Sequence, residues 1–224
     1  MILTYELHHI KDTRLTKNNV FLIFDKKTKK AAVVDPSYSL KHINKIIKCF
    51  GYMLDTILIT HSHPDHTSSV DALINQHGCD VYISRKEVEY YSYRCKNMQM
   101  FEDQQLINVG DTIVKCLLTP GHTAGSACFL LEKSLFSGDT IFMEGCGICS
   151  GSGASAAAMF DSIMKIKEQV SDTVLVYSGH TYVVDPGQSI EYLKRNNIYF
   201  NINDVETFVS FRMRKNQKNL FTFQ

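Results

Sequence analysis

The 224 residues are 44% apolar and 21% charged, with 24 Lys and Arg against 23 Asp and Glu and a formal charge of +1. That balance suits a single enzyme-sized globular domain over residues 1–224 and argues against a nucleic-acid binder, which needs a basic face. The opening Met1 to Ile10 lacks a basic region followed by an apolar stretch, so secretion and membrane insertion are not expected; seven scattered cysteines, an odd count, point to a reducing cytoplasm.

Along the chain, Val20–Phe24 and Ala31–Val34 are short apolar runs joined by a lysine-rich turn and read as a hairpin. Ser39 to Phe50 repeats Ile43, Ile46, Ile47 and Phe50 at helical spacing, followed by a strand at Thr56–Ile59, a helix from Ser68 to His77 ended by Gly78, and a strand at Asp80–Ile83. In the second half, Ile113–Leu118, Ala127–Leu131, Ser134–Phe136 and Thr173–Tyr177 read as strands. Ser155 to Val170 and Gly187 to Arg195 read as helices, and the tail from Asn196 is mixed, with a basic run from Arg212 to Lys218 expected on a solvated face. Strands in both halves with helices after them suggest two packed sheets covered by helices, although periodicity alone also permits a three-layer α/β fold.

Four of these strands stop and deliver metal-binding side chains just past their carboxyl ends. Thr56–Ile59 leads into Thr60-His61-Ser62-His63-Pro64-Asp65-His66; Ile113–Leu118 into Thr119-Pro120-Gly121-His122-Thr123; Phe136 into Ser137-Gly138-Asp139-Thr140; and Tyr177 into Ser178-Gly179-His180. Side chains two apart in an extended segment point the same way, which suits His61 and His63 to one cation, while Pro64 starts a helix that turns Asp65 and His66 toward a second. We assign His61, His63 and His122 to one metal and Asp65, His66 and His180 to the other, with Asp139 bridging. Imidazole with carboxylate suits two zinc ions; iron and manganese accept the same set.

The ordered series His61-x-His63-x-Asp65-His66, Gly121-His122-Thr123, Gly138-Asp139-Thr140 and Gly179-His180 resembles the metallo-β-lactamase superfamily. The resemblance implies an α/β fold of αββα sandwich type with a dinuclear site at one edge. His66 and Asp139 resemble the glyoxalase II branch of thioester hydrolases. Two metals lower the pKa of a shared water to about 7, so hydrolysis is the expected chemistry, with Asp65 as the catalytic residue orienting the nucleophile. A thiolate, with a pKa near ~8.5, leaves without strong acid help.

Tyr182 matches a substrate tyrosine of glyoxalase II, whereas Ile148 and Ser150 stand where that branch carries a lysine and an aromatic that contact glutathione. Glu89 to Asn97 together with Phe142 to Ser150 resembles the glyoxalase-II-like hydrolases associated with trans-acyltransferase polyketide synthases. That resemblance implies an acyl thioester on the phosphopantetheine of an acyl carrier protein, cleared in an editing role. Ile148 then suits a neutral pantetheine arm, and Arg212, Arg214 or Lys215 would meet its phosphate or an acidic carrier surface.

The alternatives are a hydroxyacylglutathione hydrolase (glyoxalase II), opposed by Ile148 and by a tail of 44 residues after His180, and an iron-dependent persulfide dioxygenase. A nuclease and a non-catalytic module on the same fold fit less well, since charge is neutral and all seven ligand-type residues are present. Cys146-Gly-Ile-Cys149 has redox or metal spacing but no second pair, and is expected to be structural. Tyr90, Tyr91 and Tyr93 are expected in packing. Asp35 is expected in a turn, with a supporting position behind the site as the other reading.

Overall fold

The computed structural model describes residues 3–11 and 17–215. Six strands form the first sheet in chain order: β1 (Tyr5–Lys11), β2 (Asn19–Asp25), β3 (Lys30–Val34), β4 (Met53–Leu58), β5 (Asp80–Ser84) and β6 (Met98–Phe101). The second sheet holds β7 (Leu106–Val109), β8 (Thr112–Leu118), β9 (Ala127–Leu130), β10 (Ser134–Gly138), β11 (Leu175–Ser178) and β12 (Gln188–Ser189), again in chain order across the sheet. Helices α1 (Leu40–Phe50), α2 (Pro64–Thr67), α3 (Val70–His77) and α4 (Arg85–Tyr91) belong to the first half; α5 (Ala156–Gln169), α6 (Ile190–Asn196), α7 (Ile198–Asn201) and α8 (Val205–Arg212) belong to the second.

Three separate cores make this a four-layer αββα sandwich. Alternation along β2 sends Val20, Leu22 and Phe24 outward to α1 and α3, where they meet Ile43, Ile47, Leu73 and Ile74. Phe21 and Ile23 of the same strand point inward, where they meet Val114, Phe129 and Phe136 of the second sheet. Leu117, Cys128 and Leu135 face outward under α5 and α8 with Met159, Ile163 and Phe208. A strand covered on both faces has no polar side to show, which is why β2 reads as an unbroken apolar run rather than as an alternating one.

Strand direction explains the shared edge. β8 is antiparallel to β9, β9 to β10, and β10 is parallel to β11, so β8, β10 and β11 all run the same way and end together. In the first sheet β3 and β4 are parallel, which sets Asp35 beside Thr60. Ala127 N donates to Thr60 O across 2.9 Å and closes the two sheets at that edge.

The sequence reading finds the hairpin, α1, α3, α5 and the strands that carry the site. β1, β6 and β7 go beyond it. The helix expected from Gly187 begins at Ile190, because Gln188 and Ser189 pair with β11 and the Ser189 side chain accepts from Tyr192 N to cap α6. The tail expectation is corrected at Arg212. This residue is 4% exposed, faces inward from α8 with Phe208 one turn earlier, and donates from Nε to Gly147 O at 2.9 Å. Its guanidinium also lies over the Tyr199 ring, 5.9 Å from the centroid. Lys215 is exposed, and residues 216–218 of the basic run lie outside the described residues. Among the described residues no helix is long and apolar enough to cross a membrane.

Candidate metal centre

The loop after β4 leaves the sheet extended, and His63 keeps that geometry (φ −61°, ψ 142°) because Pro64 follows it and opens α2. His61 Nε2 and His63 Nδ1 consequently approach to 3.0 Å, and His122 Nε2, from the loop after β8, reaches the same His63 nitrogen at 3.1 Å. One turn into α2, His66 Nε2 lies 3.3 Å from His180 Nε2, and Asp65 Oδ2 lies 3.5 Å from the His180 nitrogen. Among the described residues three groups lie close enough to suit a cation: His61, His63 and His122; Asp65, His66 and His180; and Asp35, His61 and His66, in the last of which Asp35 already accepts from Thr60 and from His66 Nδ1.

Asp139 sits between the first two. Its carboxylate lies 3.5 Å from His66 Nε2, 3.6 Å from His122 Nε2 and 3.3 Å from His180 Nε2. Asp139 Oδ1 is buried without a hydrogen-bond partner among the described residues, an expensive position for a carboxylate oxygen unless a cation meets it. The donor set, five imidazoles and two carboxylates with their atoms converging at ordinary ligand spacing, fits zinc.

Electrostatics agree with that fit. Burial, with His66 and His122 nearby, holds His61 well below the usual imidazole value, and burial with His122 also lowers His63; both are neutral rings with a lone pair to offer. His66 behaves differently. Burial pulls it down, but the carboxylates of Asp139, Asp35 and Asp65 outweigh burial and raise it to about 9. For Asp139, burial pushes up, but His180 and His66 win and hold it well below the carboxylate range. The pocket is a place where positive charge is stabilised.

A layer of hydrogen bonds fixes the rings. Asp35, 2% exposed, accepts from Thr60 N (2.8 Å), Thr60 Oγ1 (2.6 Å) and His66 Nδ1 (2.9 Å). Because the Thr60 hydroxyl donates to Asp35, it accepts from His61 Nδ1 at 3.0 Å. His122 Nδ1 donates to Ile148 O at 2.8 Å. All three rings are thereby turned so that Nε2 faces the cluster. Asn18 Nδ2 holds Asp65 Oδ2 at 3.0 Å. Gly179, between β11 and His180, leaves the necessary room: a Cβ there would lie 2.4 Å from Asp139 Oδ1 and 2.8 Å from His66 Cε1.

The residues expected at the substrate divide. Tyr182 is half-buried with its ring edge-on to Phe142 and stacked beside His180; burial, reinforced by Asp139 and Asp65, pushes its phenol up. Ile148 is half-buried and meets the site through its carbonyl. Arg212 lies beneath the Cys146–Cys149 loop rather than at its surface. Burial pushes Cys146 up and Cys149 to about 11, so both thiols are protonated and unreactive at neutral pH. Tyr93 packs on the first sheet's outer core, while Tyr91 Oη donates to Ser152 O and accepts from Ala124 N. Glu87, Asn18 and Thr60 were not singled out by sequence; each has an ordinary residue type in an ordinary local setting.

The sequence is 48% identical over 226 residues, covering 100% of both chains, to a Bacillus subtilis (strain 168) protein named probable polyketide biosynthesis zinc-dependent hydrolase PksB. It is 45% identical over 222 residues, 99% of each chain, to BaeB of Bacillus velezensis (strain DSM 23117 / BGSC 10A6 / LMG 26770 / FZB42), which carries the same description. Among solved structures, ETHE1 from Myxococcus xanthus matches with a TM-score of 0.86 at 25% identity, covering 94% of this chain and 91% of that one. A metallo-beta-lactamase from Staphylococcus aureus subsp. aureus COL also gives 0.86, at 26% identity over 95% of this chain and 68% of that one. The model of the metallo-beta-lactamase superfamily matches residues 13–180. That span closes on His180 and takes in every side chain gathered at the edge of the sandwich, so sequence, fold and site lead to one conclusion: the chain belongs to the metallo-β-lactamase superfamily.

Proposed function

We propose that this protein is a zinc-dependent hydrolase of acyl thioesters that releases acyl groups from the phosphopantetheine of an acyl carrier protein during polyketide biosynthesis. The observation that carries this reading is Asp139, a buried carboxylate set between two imidazole clusters, whose Oδ1 has no hydrogen-bond partner among the described residues and lies 3.5 Å from His66 Nε2. The full-length relatives named as polyketide biosynthesis zinc-dependent hydrolases support the substrate class. His61, His63 and His122 would hold one zinc and Asp65, His66 and His180 the other, with Asp139 shared.

Bound there, zinc supplies Lewis acidity and brings the pKa of a water toward about 7. The chain's own groups do the rest. Asp35, Thr60 and Ile148 O keep the imidazoles in one tautomer and one orientation. Asp65, held by Asn18, orients the nucleophile and accepts its proton. Tyr182 keeps its phenolic proton and offers it to the thioester arm. No protein acid is needed at the departing sulfur, because a thiolate with a pKa of ~8.5 is a competent leaving group.

The test is a direct comparison of matched acetyl thioesters of carrier-protein phosphopantetheine and of glutathione. The reading predicts faster thiol release from the carrier protein. Preference for glutathione would replace it with a hydroxyacylglutathione hydrolase.

A further inference from the structure

Glu87 lies in the first turn of α4, is 0% exposed, and belongs to none of the groups suited to a cation among the described residues, yet both of its carboxylate oxygens are used. Oε1 accepts from Ser62 N and Ser62 Oγ, each at 2.8 Å. Oε2 accepts from Thr123 Oγ1 at 2.8 Å and Gly125 N at 3.0 Å. Ser62 stands between His61 and His63, and Thr123 follows His122. One buried carboxylate therefore ties down the immediate neighbours of all three members of one cluster, while none of its four bonds goes to a neighbour of Asp65, His66 or His180, the members of the other.

The surroundings hold Glu87 in place. Ser84 Oγ caps α4 by accepting from Glu87 N at 3.1 Å and donates to Gly125 O. Gly125 presses so closely on this turn that a Cβ would lie 2.1 Å from Glu87 N. Thr123 gives its proton to Glu87, so Ser126 Oγ donates to Thr123 Oγ1 at 2.6 Å and accepts from Thr123 N at 3.1 Å. A carboxylate with four donors, buried and desolvated, is a stiff clamp between two loops that have no covalent link near this point.

We propose that Glu87 is a positioning residue that sets the spacing of the His61–His63 loop against the His122 loop, and so governs the zinc affinity of that cluster selectively. The inference rests on the two-zinc reading above. Glu87→Gln replaces an acceptor by an amide NH2 that meets donors on one side of the clamp, and Glu87→Asp keeps the charge but is one methylene short.

The experiment is metal titration of the whole chain by chelator competition, repeated with cobalt so that each cluster has its own visible spectrum. His122→Ala and His180→Ala supply the reference spectra for loss of either cluster. Glu87→Gln is expected to lose about 10- to 100-fold in affinity for one ion only, leaving a spectrum like that of His122→Ala, with Glu87→Asp intermediate. A variant that keeps both ions at wild-type affinity, weakens both equally, or resembles His180→Ala overturns the assignment. Should Glu87→Gln fail to fold, Glu87→Asp and Thr123→Val carry the same comparison. Wild-type protein that binds no zinc at all overturns the hydrolase reading, and this one with it; wild type with two ions and an indifferent Glu87→Gln overturns only the role of Glu87.

Discussion

Asp35 Oδ2 and His66 Nδ1 meet at 2.9 Å where both side chains are almost completely buried, and the same oxygen receives the Thr60 hydroxyl that orients His61. One carboxylate thus reaches a ring in each cluster from behind. Asp35 holds a left-handed backbone (φ 47°), a conformation that aspartate tolerates better than most residues and that aims its carboxylate back at Thr60. Asp35→Asn is expected to lower zinc affinity by roughly 10- to 100-fold. Chelator competition measures it, and wild-type affinity at both clusters would contradict the role.

Asp139 lies between the two clusters. Asp139→Asn retains shape but loses the charge that faces three imidazoles. Turnover is expected to fall more than ~100-fold, with fewer metals retained, since the substitution strikes the position common to both clusters. Thiol-release kinetics with metal analysis on the same sample check this; full activity at full occupancy would reject the bridging position.

Gly179→Ala tests crowding rather than charge. The added methyl would fall within 2.4 Å of Asp139 Oδ1 and 2.8 Å of His66 Cε1, and the neighbours on both sides are packed. The expected outcome is a folded protein, by circular dichroism, whose metal content and activity are both lost. Wild-type metal content would show that the edge yields more than its packing suggests.

Arg212→Met distinguishes a buried strut from a substrate contact. Methionine follows the aliphatic stem but leaves Gly147 O without its donor, so a loss of about 2 kcal/mol is expected, the worth of a hydrogen bond to a charged group. Urea unfolding reads it. A selective rise in KM for carrier-protein thioesters at unchanged stability would restore the substrate role.

Asp25 gives the protein a predictable acid limb. Burial alone would raise its carboxyl, but hydrogen bonds from Thr28 Oγ1 (2.6 Å), Thr28 N (2.8 Å) and Thr112 Oγ1 (2.7 Å) outweigh burial and hold it below the ordinary value. A depressed carboxyl stabilises the fold fully above its unfolded pKa of about 3.9, and the contribution is lost as pH falls through the folded value. The stability gap between wild type and Asp25→Asn should hold constant from neutrality to about pH 4 and shrink below it. A gap that grows on acidification would contradict the sign.

The seven ligand-type residues were legible because each follows a strand end, where a parallel arrangement brings separate loops to one edge, and because His61 to His66 compresses four of them into six residues. Glu87 was not legible. In Arg85-Lys-Glu-Val-Glu-Tyr-Tyr91 nothing separates it from Glu89; only closure of the two sheets brings Ser62 and Thr123 to it. Asn18 is hidden for the same reason, since its partner Asp65 is 47 positions away. Arg212 misled because it opens a basic run, whereas its burial follows from helical phase, one turn past Phe208 on the face that packs against α5. Strands β6 and β7 are only four residues each and owe their existence to β5 and β8 beside them.

The most direct test of the whole account is thiol release from acetylated carrier-protein phosphopantetheine, measured on protein stripped of metal and then reloaded with zinc. The account predicts no activity in the stripped protein and recovery that saturates near two zinc ions per chain. Zinc-loaded protein that leaves the thioester intact, or activity that instead follows a single iron with oxygen uptake, would contradict it.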